Sequence, residues 1–153
     1  MVRAAGAEQI REAVAAVVDP EIPVLTVADI GILRRVEVDG DGKVTVTITP
    51  TYSGCPATDV IRRDIEIVLD RLGVADHEVR AVLSPPWTTA WMSSEAREKL
   101  RAAGIAPPAG SEVACPHCGS DDTRVVSAFG STACQALAVC AECGEPFPHF
   151  KEF

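Results

Sequence analysis

Residues 44–69, VTVTITPTYSGCPATDVIRRDIEIVL, change period in the middle and carry a cysteine at the change. Val44, Val46 and Ile48 alternate with Thr45, Thr47 and Thr49, the period-two pattern of a half-buried strand that Pro50 ends. Val60, Ile61, Ile65, Val68 and Leu69 then recur at helical spacing, with Arg62, Arg63, Asp64, Glu66 and Asp70 largely on the other face. Cys55 falls between strand and helix, in Ser53-Gly54-Cys55-Pro56. Pro56 suits a first helical turn, where its missing N–H costs nothing, and Gly54 permits a tight turn. Cys55 is therefore expected at a helix N-terminus, where free N–H groups and the helix dipole favour a thiolate that attacks electrophiles and binds soft metals. Read instead as a small buried apolar residue, Cys55 has no chemistry to perform. Both readings stand on local sequence.

Working outward, residues 7–18 read as an amphipathic helix with Ile10, Val14, Val17 and Val18 on one side, stopped by Asp19-Pro20. Asp19, Glu21 and Asp29 place three carboxylates close together ahead of the first strand. Each is a candidate acid, and each also suits capping of nearby backbone N–H groups, Asp19 at the helix end and Asp29 at the turn into Gly31. Residues 32–38 and 43–49 read as two strands joined by Asp39-Gly40-Asp41-Gly42, a strong hairpin signal. Residues 77–83 read as a third strand, with His77 a solvated residue at its start. Trp87 and Trp91, in a proline-rich loop, fit a packing role better than a ligand platform. Ser93 or Ser94 can cap a last helix that ends at Gly104. The order helix, strand, strand, helix, strand, helix predicts an α+β fold, a small two-layer sandwich on one mixed sheet, over residues 1–105. Residues 106–111 read as a linker and 112–153 as a separate module.

With 153 residues, 47% of them hydrophobic, the chain can bury one modest core and a small appended module. Its 14 Lys and Arg against 22 Asp and Glu give a net charge of -8, which argues against nucleic acid as a partner. Glu8, Arg11 and Glu12 interrupt any apolar leader, and no uncharged run is long enough to span a bilayer, so a cytoplasmic protein without a membrane partner is expected. In that compartment six cysteines point to metal or redox chemistry rather than structural disulfides.

Five of the six cysteines lie between Cys115 and Cys143. Cys115-Pro116-His117-Cys118 and Cys140-Ala141-Glu142-Cys143 are two CxxC knuckles separated by 21 residues, a slightly long zinc-ribbon spacing. Each can present two thiolates to one tetrahedral ion, and so short a module has too little apolar surface to fold without a cross-link. Zinc is the default metal; iron or a small cluster also accepts four thiolates. Cys134 reads as a buried free thiol, and neither His117 nor His149 is expected to be a ligand. From Glu112 to Phe153 two cations, Arg124 and Lys151, stand against six acids, so the ribbon suits a protein partner better than a nucleic acid.

Asp19-Pro20-Glu21-Ile22-Pro23, Asp29-Ile30-Gly31 and Thr51-Tyr52-Ser53-Gly54-Cys55-Pro56 resemble, in that order, the iron–sulfur assembly family that includes SufT and the MIP-type cytosolic assembly factors. This resemblance covers residues 7–83. Further along, Pro85-Pro86-Trp87-Thr88-Thr89, Gly104-Ile105-Ala106-Pro107-Pro108, Phe129-Gly130-Ser131-Thr132-Ala133-Cys134 and Glu145-Pro146-Phe147 are similar to the PaaD family, accessory proteins of the phenylacetyl-CoA ring epoxidase. The tail departs from that pattern, having Glu152 where a cysteine tends to follow Phe-Lys. The resemblance implies maturation of a multicomponent oxygenase in aerobic phenylacetate breakdown. It names Cys55, Asp19, Glu21, Asp29 and Thr51 as functional candidates and the oxygenase or reductase as partner, with a homodimer a further expectation. Two functions follow: Cys55 transiently holds iron or an iron–sulfur cluster in a non-catalytic maturation subunit, or it is the nucleophile of an enzyme or essential catalytic subunit, assisted by Asp19 or Asp29. No histidine accompanies Cys55 in these motifs, which weakens the second.

Overall fold

A computed structural model of the chain describes residues 5–109 and 112–152. It divides into two compact units, the first running to Trp87 and the second from Thr88.

The first unit contains helices α1 (Ala7–Ala15) and α2 (Val27–Ile30), strands β1 (Leu33–Val38) and β2 (Val44–Ile48), helix α3 (Ala57–Arg71) and strand β3 (His77–Ala81). The Asp39-Gly40-Asp41-Gly42 turn makes β1 and β2 antiparallel, with Val36 opposite Val46; Asp39 Oδ1 accepts from the N–H groups of Asp41 and Lys43. β2 and β3 are parallel, with Val46 opposite Val79. Parallel neighbours need a crossover, and α3 supplies it. The period change at 44–69 thus dictates a mixed sheet in the order β1-β2-β3. Val44, Val46 and Ile48 are fully buried on one sheet face, and Ile61, Ile65 and Leu69 of α3 with Ile10 and Val14 of α1 complete the core. Each such side chain removed from water contributes about 1.5–3 kcal/mol.

The second unit begins with a short 3-10 turn (Thr89–Trp91) and helix α4 (Ser94–Ala102), whose N-cap Ser93 accepts from the Ala96 N–H. Strands β4 (Thr123–Ser127), β5 (Gln135–Cys140) and β6 (Pro146–Phe150) follow as an antiparallel meander. Ala106 runs alongside β6, donating its N–H to Pro148 O and accepting from the Phe150 N–H. Arg97 of α4 donates to the carbonyls of Pro108 and Thr89.

Several expected boundaries shift. The first helix stops at Ala15 rather than Val18, because Val17 and Asp19 exchange backbone hydrogen bonds with Val27 and Leu25, drawing residues 17–19 into a local bridge. β3 ends at Ala81, two residues early. Residues 88–105 group with the cysteine module rather than with residues 1–87, since Ala106 is 1% exposed and paired to β6 instead of spanning a linker. Gly110 and Ser111, the end of that expected linker, lie outside the described residues. Trp87 packs: it is 4% exposed and its indole N–H donates to Ile30 O. His77 is more enclosed than a solvated residue, its Nε2 lying 2.9 Å from an Asp70 carboxylate oxygen. Among the described residues no helix is long and apolar enough to cross a membrane.

Candidate functional site

Pro50 closes β2, and the chain must then turn sharply to start α3. Gly54 makes the turn with φ 80°, a left-handed conformation that a side chain would strain. The Cys55 N–H donates to Tyr52 O and its carbonyl accepts from the Thr58 N–H, while Pro56 takes the N-cap position with φ and ψ already helical. Cys55 is thereby held at the entrance of α3, half-buried. Its surroundings form an open hollow of about 350 Å³ lined by Pro50, Gly54, Pro56, Thr58, Asp59, Ala81 and Leu83. Leu83 is 57% exposed at the rim, an apolar group that water leaves available for contact. Thr51 lines a neighbouring hollow with Tyr52, Ser53, Pro86 and Trp87.

Asp19, Glu21 and Asp29 are not among the residues lining the Cys55 hollow. Asp19 is buried and its Oδ1 accepts from the N–H groups of Glu21 and Ile22, bracing the loop after α1. Asp29 and Thr26 form a capping box on α2, the Asp29 carboxylate accepting from the Thr26 N–H and the Thr26 hydroxyl from the Asp29 N–H. Burial pushes the Asp19 carboxyl up from its ordinary value, against the opposing pull of the two N–H groups. Burial and the neighbouring Asp19 charge push Glu21 up as well. The carboxylate beside Cys55 is Asp59, in the first turn of α3, which the motifs did not single out. Its signal was available: an acid four residues after Cys55 returns to the same side of the helix entrance.

The raised Asp19 pKa has a consequence for stability. An acid that titrates higher in the folded chain than in the unfolded one costs stability as pH rises from the unfolded to the folded value. Asp19→Asn keeps the Oδ1 acceptor and removes the buried charge. Its unfolding free energy at pH 7, measured by urea titration, is therefore expected to equal or exceed the parent's, by about 1 kcal/mol at most, with the difference closing as pH falls to the ordinary carboxyl range. A variant markedly less stable at pH 7 would contradict this account.

In the second unit, the four knuckle sulfurs converge. Each knuckle closes through the same bond, Gly119 N–H to Cys115 O and Gly144 N–H to Cys140 O, so the CxxC repeats fold as equivalent turns. The sulfurs of Cys115, Cys118, Cys140 and Cys143 all lie within 4.8 Å of one another. Cys115 and Cys143 are 3.8 Å apart, and Cys118 and Cys140 3.6 Å apart. A tetrahedral tetrathiolate with metal–sulfur bonds near 2.3 Å requires edges of about 3.8 Å, so the donor set fits such an ion. The Cys143 N–H, ahead of other neighbours, draws the Cys140 thiol down to about 7. Cys118, though the Ser120 N–H favours its thiolate, is pushed up to about 12 by desolvation and by the surrounding sulfurs. A cation among them would support all four thiolates at once.

Cys134 stands apart from that cluster, buried, with its sulfur 3.0 Å from the Thr132 hydroxyl. His117 meets Phe147 edge to face, with ring centroids 6.5 Å apart. His149 is 7% exposed with neither ring nitrogen hydrogen-bonded, and burial lowers its pKa.

Residues 7–83 match the model of the iron–sulfur cluster assembly protein family, and residues 106–151 match the PaaD zinc beta ribbon domain. A protein of Escherichia coli K12, provisionally named as a subunit of 1,2-phenylacetyl-CoA epoxidase, is 49% identical over 141 residues, covering 87% of this chain and 85% of its own. YitW of Bacillus subtilis, named an Fe-S protein maturation auxiliary factor, is 38% identical over 94 residues, covering 61% of this chain and 91% of its own. Among solved structures, a DUF59 domain from Bacillus anthracis is similar at 30% identity with TM-score 0.56, over 61% of this chain and 90% of that one. A conserved hypothetical protein from Thermotoga maritima is similar at 33% identity with TM-score 0.54, over 65% and 98%. An assembly-type α+β unit with a cysteine at the entrance of α3, followed by a four-cysteine ribbon, shows that the chain belongs to the PaaD family of iron–sulfur assembly proteins.

Proposed function

We propose that the chain is a non-catalytic maturation factor that delivers iron or an iron–sulfur cluster to a component of the phenylacetyl-CoA ring epoxidase in the cytoplasm. The observation that carries this reading is Cys55: a half-buried thiol, fixed by a tight turn, facing an open hollow whose rim is apolar. A soft ligand so placed can hold a metal cargo while leaving coordination positions for a recipient's own ligands. Leu83 and the prolines around the hollow offer an apolar surface to a client protein. No histidine lines the hollow, and its carboxylate, Asp59, is exposed, so a base suited to activating a nucleophile is missing there. That favours holding over catalysis. The ribbon sulfurs hold zinc as a structural ion, and the ribbon's excess of acids suits docking to a basic client surface.

Maturation and catalysis separate in time. The oxygenase and reductase are to be produced with and without this chain, assayed for iron and cluster content, then for activity after its removal. The expected result is clients metal-loaded only when the chain was present during synthesis, and active once it is gone. Clients that are fully loaded without it, yet need it through every turnover, would overturn the proposal.

A further inference from the structure

On the outer face of the β1–β2–β3 sheet lies a hollow of about 300 Å³, lined by Arg34, Arg35, Thr47, Thr49, Val82 and Pro85. It shares no lining residue with the Cys55 hollow. In a regular strand consecutive side chains point to opposite faces, so neighbouring arginines would be separated. The β1–β2 register shifts between Leu33 and Arg35, and this irregularity lets Arg34 and Arg35 line the same hollow.

No carboxylate lines the hollow. Arg35 does approach Glu37 at 3.5 Å, but both side chains are more than half exposed, and such a pair competes weakly with a ligand. The three strands carry Arg34, Arg35 and Arg80 against Glu37 and Glu78, one cation in excess in a chain of net charge -8. Thr49 supplies an independent observation. It is 1% exposed, its N–H is fixed to Ile32 O, and its hydroxyl has no hydrogen-bond partner. A buried hydroxyl without a partner is costly, and rotation about its Cα–Cβ bond can turn it toward the hollow.

We propose that this hollow binds the phosphoryl group of a small molecule. Two guanidinium groups and the hydroxyls of Thr47 and Thr49 provide donors from different directions, which suits a tetrahedral oxyanion better than a planar carboxylate. Val82 and Pro85 form an apolar side for the organic part of the ligand, and the volume limits that part to a few heavy atoms beyond the phosphate.

The test is amide NMR on the full chain, titrated at constant ionic strength with inorganic phosphate, with glycerol 3-phosphate and with acetate. Both phosphates are expected to shift the Thr47 and Thr49 resonances saturably, and acetate to leave them in place. Tighter binding of glycerol 3-phosphate identifies an organic phosphate as the ligand; equal or weaker binding identifies free phosphate. Arg34→Gln combined with Arg35→Gln is expected to weaken binding about tenfold or more. Thr49→Val is expected to weaken binding while unfolding at no lower urea concentration, because it removes an unpartnered hydroxyl without changing shape. Shifts that are absent, that acetate reproduces, or that survive both sets of substitutions would overturn the proposal.

Discussion

Cys140→Ser is expected to release the ribbon's metal and unfold the meander of β4, β5 and β6 while leaving residues 7–83 folded. The buried cluster inside the ribbon consists of Ala106, Val113, Cys115, Ala138, Cys140 and Phe147, so two of its six members belong to the four-sulfur group. Little apolar area remains to replace the metal's contribution. A structural zinc supplies on the order of 10–16 kcal/mol to small zinc-dependent folds, more than the whole stability of many domains. Elemental analysis should fall from about one ion per chain to a small fraction of that, since three sulfurs leave the tetrahedron open. Amide NMR should lose the dispersed signals of residues 113–150 and keep those of the first unit. A strong chelator added to the parent chain should reproduce the same spectrum. An undiminished metal content in the variant would remove Cys140 from the site.

Cys55→Ala is expected to have the opposite profile, with fold and metal intact and epoxidase support lost. The side chain is half-buried at a helix entrance, and the local geometry rests on the backbone bonds of Tyr52, Cys55 and Thr58 rather than on the sulfur. The stability change should stay within about 1 kcal/mol. Alanine cannot ligate iron, so clients made with the variant should carry the low metal content of clients made with no maturation factor. The assay is epoxidase activity in cells expressing the variant, alongside elemental analysis of the purified variant and clients. Full activity would make Cys55 a structural residue.

These expectations rest on features of unequal legibility. The period change at Pro50 and the Asp39-Gly40-Asp41-Gly42 turn are local signals, and they carried the first sheet: a hairpin, then a helix forcing a parallel third strand. The CxxC repeats were equally plain, because each knuckle is a self-contained turn. Helix α2 was not visible as a helix, since four residues cannot display a 3.6-residue period, though Thr26 and Asp29 carried its capping signature. The grouping of α4 with the ribbon depends on Ala106 meeting Pro148 and Phe150, contacts more than forty residues apart that no local pattern encodes. Asp59 and the Arg34, Arg35 and Thr49 hollow were hidden for a similar reason. The first needed the fold around Cys55, and the second needed a strand irregularity that alternation alone would deny.

The pairing of Ala106 with β6 also bears on how the chain avoids self-association. β6 reads Pro146-Phe147-Pro148-His149-Phe150, and both phenylalanines are fully enclosed in the folded ribbon. Its inner edge is paired to β5, its outer edge meets Ala106, and its two prolines present no N–H to an incoming strand. The sheet's other outer strand, β4, places Arg124 on its margin, a charge that discourages stacking into fibrils. A ribbon deprived of its ion would uncover the aromatic strand and its unpaired edges together. Loading of the ribbon during or soon after synthesis would then protect solubility, and the chain's own need for a metal would precede any it supplies to others.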